Sequence, residues 1–74
     1  MSPEEIAALR AQVRALTRTI VREQATMDAL MDPGAFDLDA KPVAPEVWRG
    51  YDAAEERQSV ARRERAEILR RLYA

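Results

Sequence analysis

The chain predicts an all-α fold: a two-helix antiparallel hairpin with a coiled-coil-like seam, joined by a proline-rich extended linker and completed by other chains. Three observations lead there. Residues 2–31 hold no glycine and, after Pro3, no proline, whereas residues 32–45 hold three of the four prolines and one of the two glycines. Apolar residues before that break recur every seven positions, the pattern of a helix with a helical neighbour. After the break, a weaker stripe at 3,4 spacing runs almost to the last residue. Residues 1–74 therefore make one domain, with a helix over about 3–31, a linker over 32–45 and a helix over about 46–74.

The first helix has a clear start. Ser2 is placed to cap it, Pro3 occupies the first turn where its missing N–H does no harm, and Glu5 sits three residues after the cap. Glu4 and Glu5 also complement the positive end of the helix dipole. Ile6, Val13, Ile20 and Met27 share one heptad position, and Leu9, Leu16 and Leu30 share the position three later. Glu23 breaks the second series. The helix should stop at Asp32-Pro33-Gly34, giving a length of roughly 43 Å at 1.5 Å per residue.

The linker is longer than the 2–8 residues that usually connect packed helices. Its prolines favour extended backbone, and Phe36, Leu38 and Val43 are spaced along it. The second helix starts less clearly. Pro45 suits a first turn, but Ala44 is a poor cap and Asp52-Ala53-Ala54-Glu55 offers a better capping box. One helix from about residue 45, weak at Gly50, is the expectation, with a break at 50–52 as the alternative. Its stripe is Val47, Tyr51, Ala54, Gln58, Ala61, Arg65, Ile68 and Leu72, apolar at both ends and small or polar between.

Folded back symmetrically about the linker, residue i should face a residue near 77 − i on the other helix, about one residue per 1.5 Å of rise. Leu30 then meets Val47, Leu16 meets Ala61 and Leu9 meets Ile68. Glu23 falls opposite Ala54, within reach of Arg57 or Gln58. A lone carboxylate in an apolar seam is costly unless paired, so Glu23 should turn to the seam edge and meet an arginine.

Composition bounds the function. With no cysteine and no histidine, a disulfide framework, a thiolate metal site and the usual general base are excluded. No Gly-rich phosphate loop, metal-ligand cluster or nucleophile–base pair is visible, so no enzymatic activity, cofactor, metal or small-molecule substrate is expected. Twelve basic and 13 acidic residues give a net charge of −1, without the basic excess of a nucleic-acid binder. Eleven of the bases are arginine, which together with 14 alanines suits a GC-rich bacterial or phage genome. No stretch approaches the 18 apolar residues of a membrane span. The first residues lack the basic start and apolar run of a signal peptide. A cytoplasmic protein, or part of a particle assembled in the cytoplasm, is expected.

Two sets of side chains are candidate sites. Arg10, Arg14, Arg18 and Arg22 recur every four residues with no acid between Glu5 and Glu23. They form either an anion-contact row or the partners of Glu55, Glu56, Glu64 and Glu67 on the second helix. Phe36, Leu38, Val43, Trp48, Tyr51, Leu69, Leu72 and Tyr73 exceed what a two-helix seam can cover and are the candidate partner contacts. Ala8, Ala11, Ala15, Ala25 and Ala29 make the back of the first helix small enough for another helix to approach. The function expected is a small non-enzymatic interaction protein: an accessory or structural subunit of a larger assembly, such as a phage particle or a bacterial multi-subunit complex. The partner is protein, as a homo-oligomer or a hetero-complex. A small dimeric nucleic-acid-binding regulator is the alternative, and a small all-helical enzyme the third reading.

Overall fold

The computed structural model describes residues 1–31 and 44–74. Helix α1 spans Pro3–Leu30 and helix α2 spans Pro45–Tyr73. They pack side by side as an all-α hairpin measuring 58 × 17 × 14 Å. The linker residues Phe36, Leu38 and Val43 lie outside the described residues.

Local chemistry sets both helix starts. The Glu5 N–H donates to Ser2 Oγ at 3.2 Å, and Pro3 fills the first turn. At the other end the Met31 N–H closes on the Met27 carbonyl at 3.0 Å. Helix α2 begins at Pro45 without a side-chain cap; the Ala44 carbonyl accepts from Val47 N at 3.0 Å and Trp48 N at 3.3 Å. Three threonines within α1 satisfy their hydroxyls locally, donating four residues back to the carbonyls of Val13, Ala15 and Arg22. Such back-bonding lets a polar β-branched residue sit inside a helix.

Helix α2 is continuous through Gly50, so the break considered at 50–52 does not occur. The glycine has a packing reason. A Cβ at position 50 would lie 3.3 Å from Leu30 Cδ1, so the glycine lets Leu30 seat closely against α2 without having to shift.

The apolar stripes are the facing surfaces, but the register differs from a symmetric fold. Leu30 lies against Gly50, Glu23 meets Arg57, Gln58 meets Ile20 and Arg65 meets Thr17. The helices are thus slid by about three residues, roughly 4.5 Å, and the first turn of α2 overhangs the end of α1. A slide of that size keeps the same stripe inward, because positions three and four apart share a helix face. This register brings Glu23 to Arg57 and sets Leu30 against Gly50.

The core is thin. Among the described residues, Met27, Ala54, Ala61 and Ile68 are the buried apolar ones, and the heptad residues Ile6, Leu9, Val13, Leu16, Ile20 and Leu30 are only half-buried. One facing helix covers one side of each.

Candidate functional site

The middle of the seam is polar. Glu23 and Gln58 are 4% and 5% exposed, as deep as the apolar core. Arg57 reaches in from the exposed flank and donates from Nη2 to Glu23 Oε2 at 3.0 Å. Arg22 stands 3.6 Å from the other carboxylate oxygen. The Arg57 hydrogen bond holds the Glu23 carboxyl below its ordinary value of 4.5, against the desolvation that pushes it up, and the nearby charges of Arg57 and Arg22 add to the lowering. The bond likewise raises Arg57. Glu23 was expected at the edge of the seam; it is instead inside it, because Arg57 has the length to follow it there.

Gln58 completes this layer. Its Nε2 donates to the Ile20 carbonyl at 3.1 Å and to Gln24 Oε1 at 3.0 Å, while Gln24 Nε2 donates to Asp28 at 3.0 Å. One step further along, Arg65 Nη1 donates to Thr17 Oγ1 at 3.2 Å. No buried side-chain nitrogen or oxygen lacks a partner among the described residues. Chemically this is a satisfied polar network. A carboxylate kept ionised by an arginine carries no proton to donate near neutrality. Among the described residues, no three carboxylates converge where a cation could sit.

The candidate partner contacts fall into two groups at opposite ends of the rod. Trp48 and Tyr51 flank the linker end, ring centroids 6.1 Å apart and edge to face at 74°. Trp48 is 45% exposed, and Tyr51 is half-buried. Leu69, Leu72 and Tyr73 stand at the free end, where Tyr73 is 77% exposed and the two leucines are half-buried. Trp48 and Tyr73 are about 37 Å apart along α2. Leu69 and Tyr73 share a shallow apolar depression with Ala66 and Arg70.

The arginine row winds around α1 rather than forming one edge. Arg10 and Arg14 line a depression with Pro3, Ile6 and Ala7; Arg18 is exposed; Arg22 stands beside Glu23. Among the described residues, none of the four pairs with Glu55, Glu56, Glu64 or Glu67. Glu56 instead lies 4.0 Å from Arg63 on its own helix.

Sequence reasoning missed the middle of one flank. Leu16, Thr19, Val60 and Ala61 line a groove of about 310 Å³, with Glu56, Arg57 and Glu64 at its rim. Val60 is 37% exposed there. The signal was available: Val60 is an apolar β-branched residue off the inward stripe of an otherwise polar helix. Val21, 63% exposed, is the corresponding oddity on α1.

No family model matches the chain, and no curated protein or solved structure is significantly similar to it. Neither helix is long and apolar enough to cross a membrane. The fold and its surfaces therefore carry the functional argument.

Proposed function

We propose that this chain is a small non-enzymatic interaction protein, an α-helical hairpin that serves as an accessory or structural subunit of a larger assembly. The observation that carries this is the incomplete core. Among the described residues, two helices of 28 and 29 residues bury four apolar residues, two of them alanines. Meanwhile Val21, Trp48, Val60 and Tyr73 stay exposed and the heptad residues are half-covered. A two-helix unit of this size gains little from its own burial against the entropy of ordering its chain. Contact with further protein surface supplies what the hairpin lacks, and exposed Trp and Tyr are the side chains that anchor such contacts. Phage particles and bacterial multi-subunit complexes are the assemblies that a short rod of this kind suits.

Affinity capture from the native host, followed by reconstitution of the captured component with the purified full chain, tests the reading. A partner that binds the wild type and loses at least about tenfold in affinity with Trp48→Ser or Tyr73→Ser, near 1.4 kcal/mol, supports it. A stable monomer that captures nothing and instead turns over a substrate or binds a defined duplex at nanomolar concentration overturns it.

A further inference from the structure

The flank of Val21 carries a charge pattern that is complementary to its own reverse. We propose that this flank receives a second copy of this chain, docked antiparallel about a two-fold axis that crosses the rod at Val21, so that α1 lies over α1 and α2 over α2 in a four-helix bundle. This deepens the interaction reading above and rests on it.

Two rows of side chains build the flank. Between the helices, Ile20, Val21, Gln24 and Asp28 line a shallow groove of about 350 Å³ with Gln58 and Arg62. On α1, Arg14, Val21 and Asp28 follow one another at intervals of seven, and on α2 Trp48, Glu55, Arg62 and Leu69 do the same. Residues seven apart share a helix face, so both rows run along the groove. All are exposed except Leu69, which is half-buried. Among the described residues, the ion pairs are those of Glu23 with Arg22 and Arg57 and of Glu56 with Arg63, so none of Arg14, Asp28, Glu55 and Arg62 is paired there.

Each row matches its own reversal. Turned about Val21, Arg14 falls on the partner's Asp28, and Asp28 on the partner's Arg14. Turned about the point between Gln58 and Ser59, Glu55 falls on the partner's Arg62, and Trp48 on the partner's Leu69. The hairpin register makes these one axis. Glu23 meets Arg57, so Val21, two residues earlier on α1, stands level with Ser59 on the antiparallel α2, under about 1 Å from the centre of that row. A fold symmetric about the linker would have set the two centres about 4 Å apart. One two-fold axis therefore serves both helices, as a closed dimer requires.

The same register decides the orientation. It gathers Asp28 and Glu55 toward the linker end of the flank, and Arg14 and Arg62 toward the free end. A parallel copy would set like charges together, whereas an antiparallel copy sets opposite charges together. Exposed ion pairs add little affinity, so their part is to fix orientation. Val21 against its own copy, and Trp48 against the partner's Leu69 on either side, supply the apolar contact.

A charge exchange on the full chain, read by sedimentation equilibrium, tests this. The wild type should be a dimer at micromolar concentration. Asp28→Arg should weaken the dimer at least about tenfold, because it sets two arginines together on each side of the axis, and adding Arg14→Asp should restore it. Arg14 and Asp28 are about 21 Å apart along one α1, so only contact between copies can give that rescue. The chain has no native cysteine, so single cysteines provide a second readout. Val21→Cys should form a disulfide-linked dimer under mild oxidation, and Val60→Cys, on the opposite flank, should not. A dimer that Asp28→Arg leaves unweakened, or that the double variant does not restore, overturns the proposal, as does cross-linking at position 60 that equals that at 21. A helical monomer at about 100 µM also overturns it, and leaves the hetero-complex reading to the capture experiment. If Asp28→Arg loses helicity as well as association, the cysteine pair still decides the face.

Discussion

Glu23 is the only carboxylate that the described residues bury, and its partner determines what it does. Because its folded-state carboxyl lies below 4.5, the unfolded chain takes up a proton first as the pH falls. The stabilisation from the Arg57 pair is therefore complete at neutral pH. It declines once the pH drops below 4.5 and is gone when the folded carboxyl protonates. Thermal unfolding of wild type and Glu23→Gln between pH 7 and pH 3 checks this: the wild type should lead at pH 7, and the gap should close in acid. A gap that is constant with pH would mean that the charge contributes nothing. Gly50 gives a second prediction. An alanine there gains about 1 kcal/mol of helix propensity but meets the flexible end of Leu30 at 3.3 Å. Gly50→Ala should be close to neutral in chemical denaturation, and Gly50→Val should cost about 1–3 kcal/mol through overpacking.

Each helix has a face that the other covers and a face that it does not. Leu16 lies in the covered stripe of α1 and Ala25 on the opposite, exposed side. Leu16→Asp should destabilise by about 2 kcal/mol or more, because it sets an unpaired charge in the seam. Ala25→Asp should stay within about 0.5 kcal/mol. Equal damage from both, measured by loss of helicity on heating, would show that the alanine side is also covered. The polar layer acts between the helices as a register mark. Replacing both Glu23 and Gln58 by leucine removes the Arg57 and Ile20 contacts that distinguish this register from one slid by three or four residues. The double variant should melt at a higher temperature, yet distances between spin labels at Gln12 and Glu67 should broaden into more than one population.

The described residues bury a core of only four apolar side chains, so the stability of the hairpin should depend on what it touches. The melting temperature of the isolated full chain should rise with protein concentration, as mass action requires of a fold completed by association. A sharp transition above 70 °C that is independent of concentration would contradict a fold completed by association. Binding to DNA or RNA should be weak and not sequence-specific. The arginines at Arg62, Arg63, Arg65, Arg70 and Arg71 are interleaved with Glu64 and Glu67, and phosphate affinity scales with the number of uncompensated cations. Gel-shift titration at physiological salt, with Arg62→Ala/Arg63→Ala as control, is the check.

Helix identity, the cap of α1 and the inward stripes were legible residue by residue; the start of α2 was less so, since it has no side-chain cap and runs unbroken through the Asp52 capping box. Ser2 and Pro3 start α1, which ends at Leu30, Pro45 starts α2, and the 3,4 pattern names the covered face of each. These are local properties, set by capping chemistry and side-chain periodicity within one turn or two. Even the Glu23–Arg57 pair followed, since a buried carboxylate has few arginines within reach. Register did not follow. A stripe that repeats every three and four residues looks the same to its partner after a slide of that length, so periodicity cannot rank the alternatives. The choice belonged to contacts between residues distant in the chain: a glycine that leaves room for Leu30, a glutamine placed to reach the Ile20 carbonyl, an arginine placed to reach Thr17. The groove beside Val60 was hidden for the same reason, because a depression between two helices exists only once their offset is set.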